Sequence, residues 1–173
     1  MAASEAIAAR FPPNPFLDRL VHTAREWGIR FEASPVFEQW LYHPVRRAIL
    51  VWLPDLEQQS LSYLVTIMAH ELGHAADFDR RPDLVRRLAS GGDPRLQHAL
   101  ERAAFVNGFV LLKRLSIPVS LSQYVAMVEP PMDRHVERAL RRRLCCLLDR
   151  RLQGAAVRAQ PAPQQPAGLP PVA

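Results

Sequence analysis

One segment of this chain combines the apolar period of a helix with three ionisable side chains that a buried helix seldom carries. From Ser60 to about Phe78, apolar residues recur every three or four positions and mark one helical face, with Ser60 as the N-cap. His70, Glu71 and His74 interrupt this apolar pattern. Because burying two imidazoles and a carboxylate without a shared partner is costly, the fold has to supply that partner.

The spacing of these residues is that of a metal-binding motif, His-Glu-x-x-His. Side chains four residues apart lie on the same face of a helix, so the imidazoles of His70 and His74 can reach one ion. Glu71 lies about 100° round the helix from His70, where it can approach a metal-bound water without ligating the metal. The spacing therefore predicts two histidine ligands for one ion and a carboxylate beside it.

A catalytic zinc site usually takes three protein ligands and leaves the fourth position for water, so one more donor is needed. The best candidate is Glu101, in a later predicted helix, because Ala104 and Gly108 on its face allow another helix to approach closely. Two alternatives stay open. Asp77 shares the helix with both histidines, so it would have to bend back along that helix. His98 lies one turn before Glu101, where it could ligate the metal or support a ligand, although a packing role at a helix interface is favoured for it.

The other elements predict an α+β domain in which an N-terminal helix and a small sheet precede the remaining helices. Asn14 and Pro15 begin the first helix as N-cap and first helical residue. Aromatic and β-branched runs then predict strands, and Asp93 followed by Pro94 begins another helix. The predicted elements are a helix from Pro15 to Gly28, strands over 28–33, 36–42 and 47–53, the helix over 60–78, and helices over 95–115 and 132–152.

This domain is expected to cover residues 14–153. Residues 1–13 are predicted to be flexible and residues 154–173 to form a disordered Pro-rich tail, because neither holds enough large apolar side chains to offset the entropy of ordering. The adjacent Cys145 and Cys146 are a poor disulfide framework and are interpreted as reduced thiols. With no apolar run of about 18 residues and no signal-like N-terminus, we expect a cytoplasmic protein with no membrane partner.

The basic charge of the chain is concentrated in one segment. Residues 134–158 hold eight arginines and two acids, so this segment alone exceeds the net charge of +5 of the whole chain. Arg134, Arg138 and their basic neighbours lie mostly off the apolar stripe of the last predicted helix, as on any amphipathic surface helix. Arg134–Arg143 could instead bind nucleic acid or another acidic partner, because clustered arginines contact phosphates.

The motif and the later helix together resemble the ImmA/IrrE-type zinc metallopeptidases, which are gluzincin-like proteins. The resemblance covers roughly residues 14–118 and rests on Ala69 before the motif and on an E-x-x-A pattern that begins at Glu101. Phe105 stands where the family often has Asn or Asp. The resemblance implies a zincin-like fold in which His70, His74 and Glu101 bind zinc and Glu71 is the general base.

These features predict a zinc-dependent metallo-endopeptidase that hydrolyses a protein or peptide substrate with a metal-activated water. Glu71 would act first as base and then as acid. Tyr124 or His135 could stabilise the oxyanion, although packing roles are favoured for both. If the strand over 47–53 is a sheet edge, an extended peptide could pair with it.

The alternative prediction comes from a different class of protein. In it, the chain is a non-catalytic regulatory or nucleic-acid-binding protein on a zincin scaffold, and its working surface is the Arg-rich C-terminal helix. Steeply salt-dependent binding would distinguish this alternative from the hydrolase.

Overall fold

The computed structural model describes residues 2–91, 93–128 and 132–143. The chain divides into a large unit, residues 1–140, and a smaller one, residues 141–173, of which only 141–143 are described. Residues 132–143 are helical. The other described elements are α1 (Ala2–Ala8), α2 (Pro15–Glu26), β1 (Arg30–Ala33), β2 (Leu41–His43), β3 (Ala48–Val51), α3 (Asp55–Gln58), α4 (Leu61–Arg80), α5 (Asp83–Ala89), α6 (Pro94–Arg114) and α7 (Leu121–Val125). The predicted α+β class is confirmed.

The strands of the described residues form one sheet in the order β1-β3-β2. β1 runs parallel to β3 and β2 runs antiparallel to it, with Tyr42 opposite Ile49. The condition for peptide pairing with residues 47–53, that they form a sheet edge, is therefore not met, because β3 has a strand on both sides. All four residues of β3 are buried, as in a central strand whose two faces are both covered. The two outer edges of this sheet belong to β1 and β2.

The strand expected over 36–42 is much shorter in the structure. Residues 36–39 form a turn in which Glu38 has a positive φ of 51°, and β2 begins only at Leu41. The Ser34 hydroxyl bonds both the amide and the carbonyl of Val36, which holds the backbone in this turn and keeps it out of the sheet.

The N-caps of the three long helices are the residues that the sequence indicates. Side-chain oxygens of Asn14, Ser60 and Asp93 accept hydrogen bonds from the first-turn amides of α2, α4 and α6. α4 is buried over most of its length and contacts α2, α5, α6 and β2. Among the described helices, none combines the length and the apolarity that crossing a bilayer requires.

A helix, α1, lies in the segment for which the sequence predicts flexibility, residues 1–13. Its residue Ser4 accepts a hydrogen bond from the amide of Phe31, on the side of β1 that no described strand pairs. Just beyond α1, Phe11 is buried and its ring lies 5.4 Å from that of Phe31 and 6.1 Å from that of Trp40. The segment thus differs from the expectation because it covers a strand edge and contributes an aromatic side chain to the core.

Helices α4 and α6 cross so closely that glycine is needed at two points of contact. A Cβ on Gly73 would lie 2.1 Å from the carbonyl oxygen of Ala104, and one on Gly108 would lie 2.6 Å from that of Ala69. Asn107 adds a hydrogen bond from its side-chain amide to the Gly73 carbonyl at 3.3 Å. The predicted close approach at Ala104 and Gly108 is confirmed. It fixes the position of α6 along the axis of α4.

We expect Gly73→Ala to destabilise the fold by about 1–3 kcal/mol, as overpacking of a tight contact does. The sign of this change in the free energy of unfolding is informative, because alanine in a helix interior is intrinsically more favourable than glycine by about 1 kcal/mol. Urea unfolding followed by circular dichroism measures the difference. Gly28→Ala is the control: Gly28 has a φ of +67° but no atom within 4 Å of an added Cβ, so it reports backbone strain without a clash. A Gly73→Ala variant more stable than the wild type would contradict the tight crossing.

Candidate metal centre

The crossing of α4 and α6 brings together the three side chains that the sequence predicts as ligands. Nε2 of His70 lies 3.2 Å from one carboxylate oxygen of Glu101, and Nε2 of His74 lies 3.3 Å from the other. The two Nε2 atoms are 3.1 Å apart. Both imidazoles are buried, while the Glu101 side chain is 46% exposed and therefore reachable from solvent. These three residues form a group that could hold a metal ion.

The separations within this group fit a zinc ion. Zinc is bound by imidazole nitrogen and carboxylate oxygen at about 2.0–2.2 Å, and two corners of a tetrahedron of that size are about 3.3–3.6 Å apart. The distances of 3.1 to 3.3 Å are close to this edge. Two imidazoles and a carboxylate are also a donor set that zinc favours. If zinc is bound by these three protein donors, its fourth position would be available to water or substrate.

The charges around the group favour a cation. Burial lowers the pKa of His74, but the hydrogen bond to Glu101 and the charges of Glu71, Glu101 and Asp77 outweigh it, and the pKa is raised. Burial raises the pKa of Glu101, but the hydrogen bonds from His70 and His74 outweigh it and hold the pKa of this carboxyl well below its usual range. The group thus keeps an ionised carboxylate and favours positive charge at His74, as a site for a metal cation does.

The ring of His70 is oriented by packing. A metal-binding histidine usually donates its second ring N–H to a carboxylate or carbonyl. In the described structure, Nδ1 of His70 is buried with no hydrogen-bond partner. The ring of Phe105 instead lies 4.0 Å from the His70 ring, centroid to centroid, and holds it in place. Phe105 therefore contacts a candidate metal ligand. The sequence comparison with the resembled family shows only that this position differs, and it does not indicate this contact.

Glu71 lies beside the group without belonging to it. Its side chain is buried, and one carboxylate oxygen accepts a hydrogen bond of 2.6 Å from the backbone amide of Tyr42 in β2. This bond ties the edge strand to α4 and fixes the orientation of the carboxylate. The negative charge of Glu71 is close enough to His74 to raise its pKa. The expected role of Glu71 as a general base stays a prediction.

A cleft of about 380 Å³ opens beside His74 and Glu101. The β2 hairpin forms one wall, and α4, α5 and α6 contribute the others. His74 and Glu101 belong to the lining, so two of the three candidate metal ligands face the cleft directly. The full lining consists of Leu41, Tyr42, His43, Pro44, His74, Phe78, Leu88, Gln97, Leu100 and Glu101.

The alternative ligands lie elsewhere. Asp77 accepts a hydrogen bond of 3.1 Å from Nε of Arg81, with which it forms an ion pair. The ring of His98 lies edge-on to that of His135, with 5.9 Å between centroids. Neither Asp77 nor His98 belongs to the described metal-binding group.

Neither of the two residues considered as oxyanion donors lines the cleft. Tyr124 is fully buried, and its hydroxyl donates a hydrogen bond of 2.9 Å to the carbonyl of Phe105. Burial raises the pKa of this hydroxyl far above its ordinary value. His135 packs on His98 instead. The favoured packing roles agree with these contacts.

The Arg-rich segment is helical as far as it is described, over residues 132–143. Val136 and Leu140 are buried, whereas Arg134 and Arg138 are exposed, which is the amphipathic pattern expected from the sequence. The rest of the predicted helix, Cys145 and Cys146, and the Pro-rich tail lie outside the described residues. Binding of nucleic acid or an acidic partner by this segment stays a prediction.

Comparisons with models of known protein families, with curated proteins and with solved structures give no significant match for this chain. The functional interpretation therefore rests on the geometry of the site.

Zinc should bind with about one ion per chain, and Glu101→Gln should weaken that binding more than about 100-fold. The reason is that losing a group that only hydrogen-bonds to a ligand already costs about 10–100-fold in affinity. Isothermal titration of the metal-free protein measures both quantities. Arg102→Gln is the control, because Arg102 is exposed on the same helix and outside the group. Equal zinc affinity in the two variants would show that Glu101 is not a ligand.

Zinc affinity should also fall as the pH decreases. Burial lowers the pKa of His74, but the bond to Glu101 and the nearby charges raise it above its ordinary 6.5, so zinc has to displace a proton. In the metal-free protein, protonated His74 stabilises the folded state at pH values below the pKa that His74 has in the unfolded chain. This contribution disappears as the pH rises through the higher pKa that His74 has in the folded chain. Titrations at constant ionic strength between about pH 5 and 8 test the competition. An affinity that does not change over this range would contradict it.

Proposed function

We propose that this chain is a zinc-dependent metallo-endopeptidase with a zincin-like fold, similar to the ImmA/IrrE-type metallopeptidases. One observation carries the proposal: His70, His74 and Glu101 converge from two helices at zinc-like distances, while Glu71 of the same motif stays outside the ligand group. A structural metal site would normally be closed by a fourth protein ligand, and none is present among the described residues. Three ligands and a neighbouring carboxylate are instead typical of a hydrolytic site.

The position of each residue in the site gives it a separate role in the proposed reaction. His70, His74 and Glu101 would hold the ion and present it to the cleft. When bound there, zinc supplies Lewis acidity toward a carbonyl and lowers the pKa of water to about 7. Glu71 would take a proton from the attacking water and return it to the leaving amine. Its bond from the Tyr42 amide keeps the carboxylate oriented for both transfers.

The substrate that fits this site is an extended stretch of polypeptide. β2 borders the cleft, and no described strand pairs with its outer edge. The Tyr42 amide of that edge is already donated to Glu71. A peptide could add to the edge through the main-chain groups that remain, with its side chains pointing alternately into and out of the cleft. The strand proposed to pair with the substrate is therefore β2 (Leu41–His43), and not the strand over residues 47–53 that the sequence suggested.

Glu71→Gln should reduce peptide hydrolysis by about 100- to 10,000-fold, the usual contribution of general acid–base catalysis, while zinc affinity stays the same. Glutamine is the sharp replacement because its side-chain oxygen can still accept the bond from the Tyr42 amide. Initial rates on casein and on quenched fluorescent peptides, with zinc supplied at one equivalent per chain, measure the effect.

Two controls separate the catalytic role from folding and contamination. Glu57→Gln removes an exposed carboxylate outside the site and should keep full activity. Glu101→Gln should lose activity together with zinc. If zinc-loaded wild type hydrolyses nothing, or if Glu71→Gln is as active as the wild type, the proposal is wrong.

The nucleic-acid-binding alternative has support of its own in the exposure of Arg134 and Arg138. It predicts binding that weakens steeply with salt and is lost when these arginines and Arg141–Arg143 are neutralised. Fluorescence anisotropy with labelled duplex DNA at several salt concentrations measures this. Salt-dependent binding by a protein without zinc-dependent hydrolysis would favour the alternative over the peptidase.

A further inference from the structure

We infer that the cleft beside the metal-binding group receives a bulky apolar side chain of the substrate, next to the peptide bond that is cleaved. The inference rests on the proposed function, which it extends from a reaction to a preference among substrates. It draws on the lining of the cleft, on its position against the ligands and on the exposed residues around β2.

Hydrocarbon side chains from three helices line part of the cleft. Phe78 of α4, Leu88 of α5 and Leu100 of α6 contribute to it, and Leu41 and Pro44 contribute from the β2 hairpin. Glu101 is the acidic residue of the lining, and a bound cation would neutralise it. Polar groups of Tyr42, His43 and Gln97 also border the cleft, but most of its exposed wall is hydrocarbon. A charged side chain would therefore lose more hydration than this wall replaces, whereas an apolar one would gain by leaving water.

The cleft also has the position and the size for a side chain adjacent to the reacting bond. His74 and Glu101 are part of its wall, so a group seated inside has its backbone close to the candidate metal ligands. Its volume of about 380 Å³ lies within the range of ligand pockets, about 300–1,000 Å³. The space therefore accepts an aromatic or a long aliphatic side chain.

Apolar side chains are also concentrated outside the cleft, along the approach to β2. Of the six large apolar residues that are exposed in the described chain, Val36, Phe37, Leu41 and Val45 lie within ten residues around β2. Phe37 and Val45 are more than 70% exposed. Isolated exposed apolar residues are ordinary, but a concentration beside a cleft is typical of a surface that a partner covers. An extended substrate with apolar side chains would cover this one.

The test uses the zinc-loaded full chain and quenched fluorescent peptides that differ at one position only. Peptides with Phe or Leu next to the cleaved bond should show kcat/KM at least about 10-fold higher than peptides with Ser or Asp there, since side-chain pockets commonly discriminate by about 10–200-fold. Cleavage sites are read by mass spectrometry.

Leu88→Arg changes the cleft without touching a metal ligand. It should lower kcat/KM for the Phe peptide at least about 10-fold and reverse the preference toward the Asp peptide, because the introduced guanidinium would pair with a carboxylate. Val85→Arg is the matched control: Val85 is half-buried on the same helix but does not line the cleft, so its preference should stay that of the wild type. Zinc affinity and unfolding midpoints of both variants report on folding.

Binding to zinc-loaded Glu71→Gln, followed by fluorescence anisotropy of labelled Phe and Asp peptides, gives a second readout that needs no hydrolysis. Tighter binding of the Phe peptide that is lost in Leu88→Arg supports the inference even where the wild type cleaves nothing, in which case only the proposed reaction is wrong. Equal cleavage and equal binding of all peptides would overturn the inference and leave the peptidase standing. Absence of both cleavage and binding would overturn both.

Discussion

The close crossing of α4 and α6 is the constraint on which the rest of this structure depends. Gly73 and Gly108 let the two backbones approach to a distance at which a Cβ on either residue would meet a carbonyl oxygen of the opposite helix. Side chains at such a crossing are held by backbone that cannot shift without a clash. Glu101 lies two turns before Gly108 on α6, so its carboxylate arrives at His70 and His74 with little freedom left.

This arrangement explains how a buried helix can carry the motif. The two imidazoles and the Glu101 carboxylate satisfy one another through contacts of 3.1 to 3.3 Å, and Glu71 is satisfied by the amide of Tyr42. Two polar atoms nearby are buried without a partner in the described structure: the Tyr42 hydroxyl and Nδ1 of His70, whose ring packs against Phe105. A protein that keeps such a polar cluster in its interior gives up stability for it, which is consistent with a functional rather than a structural origin.

The position of the sheet gives the site its entrance. Because β3 is central and β2 lies at the edge, the strand that borders the cleft is the one whose backbone also holds Glu71. The base candidate, the metal-binding group and the apolar cleft are thereby arranged around a single short strand. A strand of only three residues is held in place here because two contacts join it to α4: the Tyr42 amide bonds to Glu71, and the Tyr42 ring packs against Phe78.

The sequence by itself determined the long helices, their N-caps, the α+β class and the three residues of the metal-binding group. These features are local or periodic: a cap is written in one residue, and a histidine pair four apart shares a helical face wherever the helix lies. The small residues after Glu101 even indicated which face of α6 approaches another helix. Only the tertiary structure decided the order of the strands, the covering of the β1 edge by α1, the contact of Phe105 with His70 and the bond from Tyr42 to Glu71. Each of these joins residues that are distant in sequence, and the last uses a backbone amide, which every residue except proline offers alike. The uninterrupted apolar run of β3 was the one available sign of a central strand, but a short apolar run does not reveal which strands lie on either side of it.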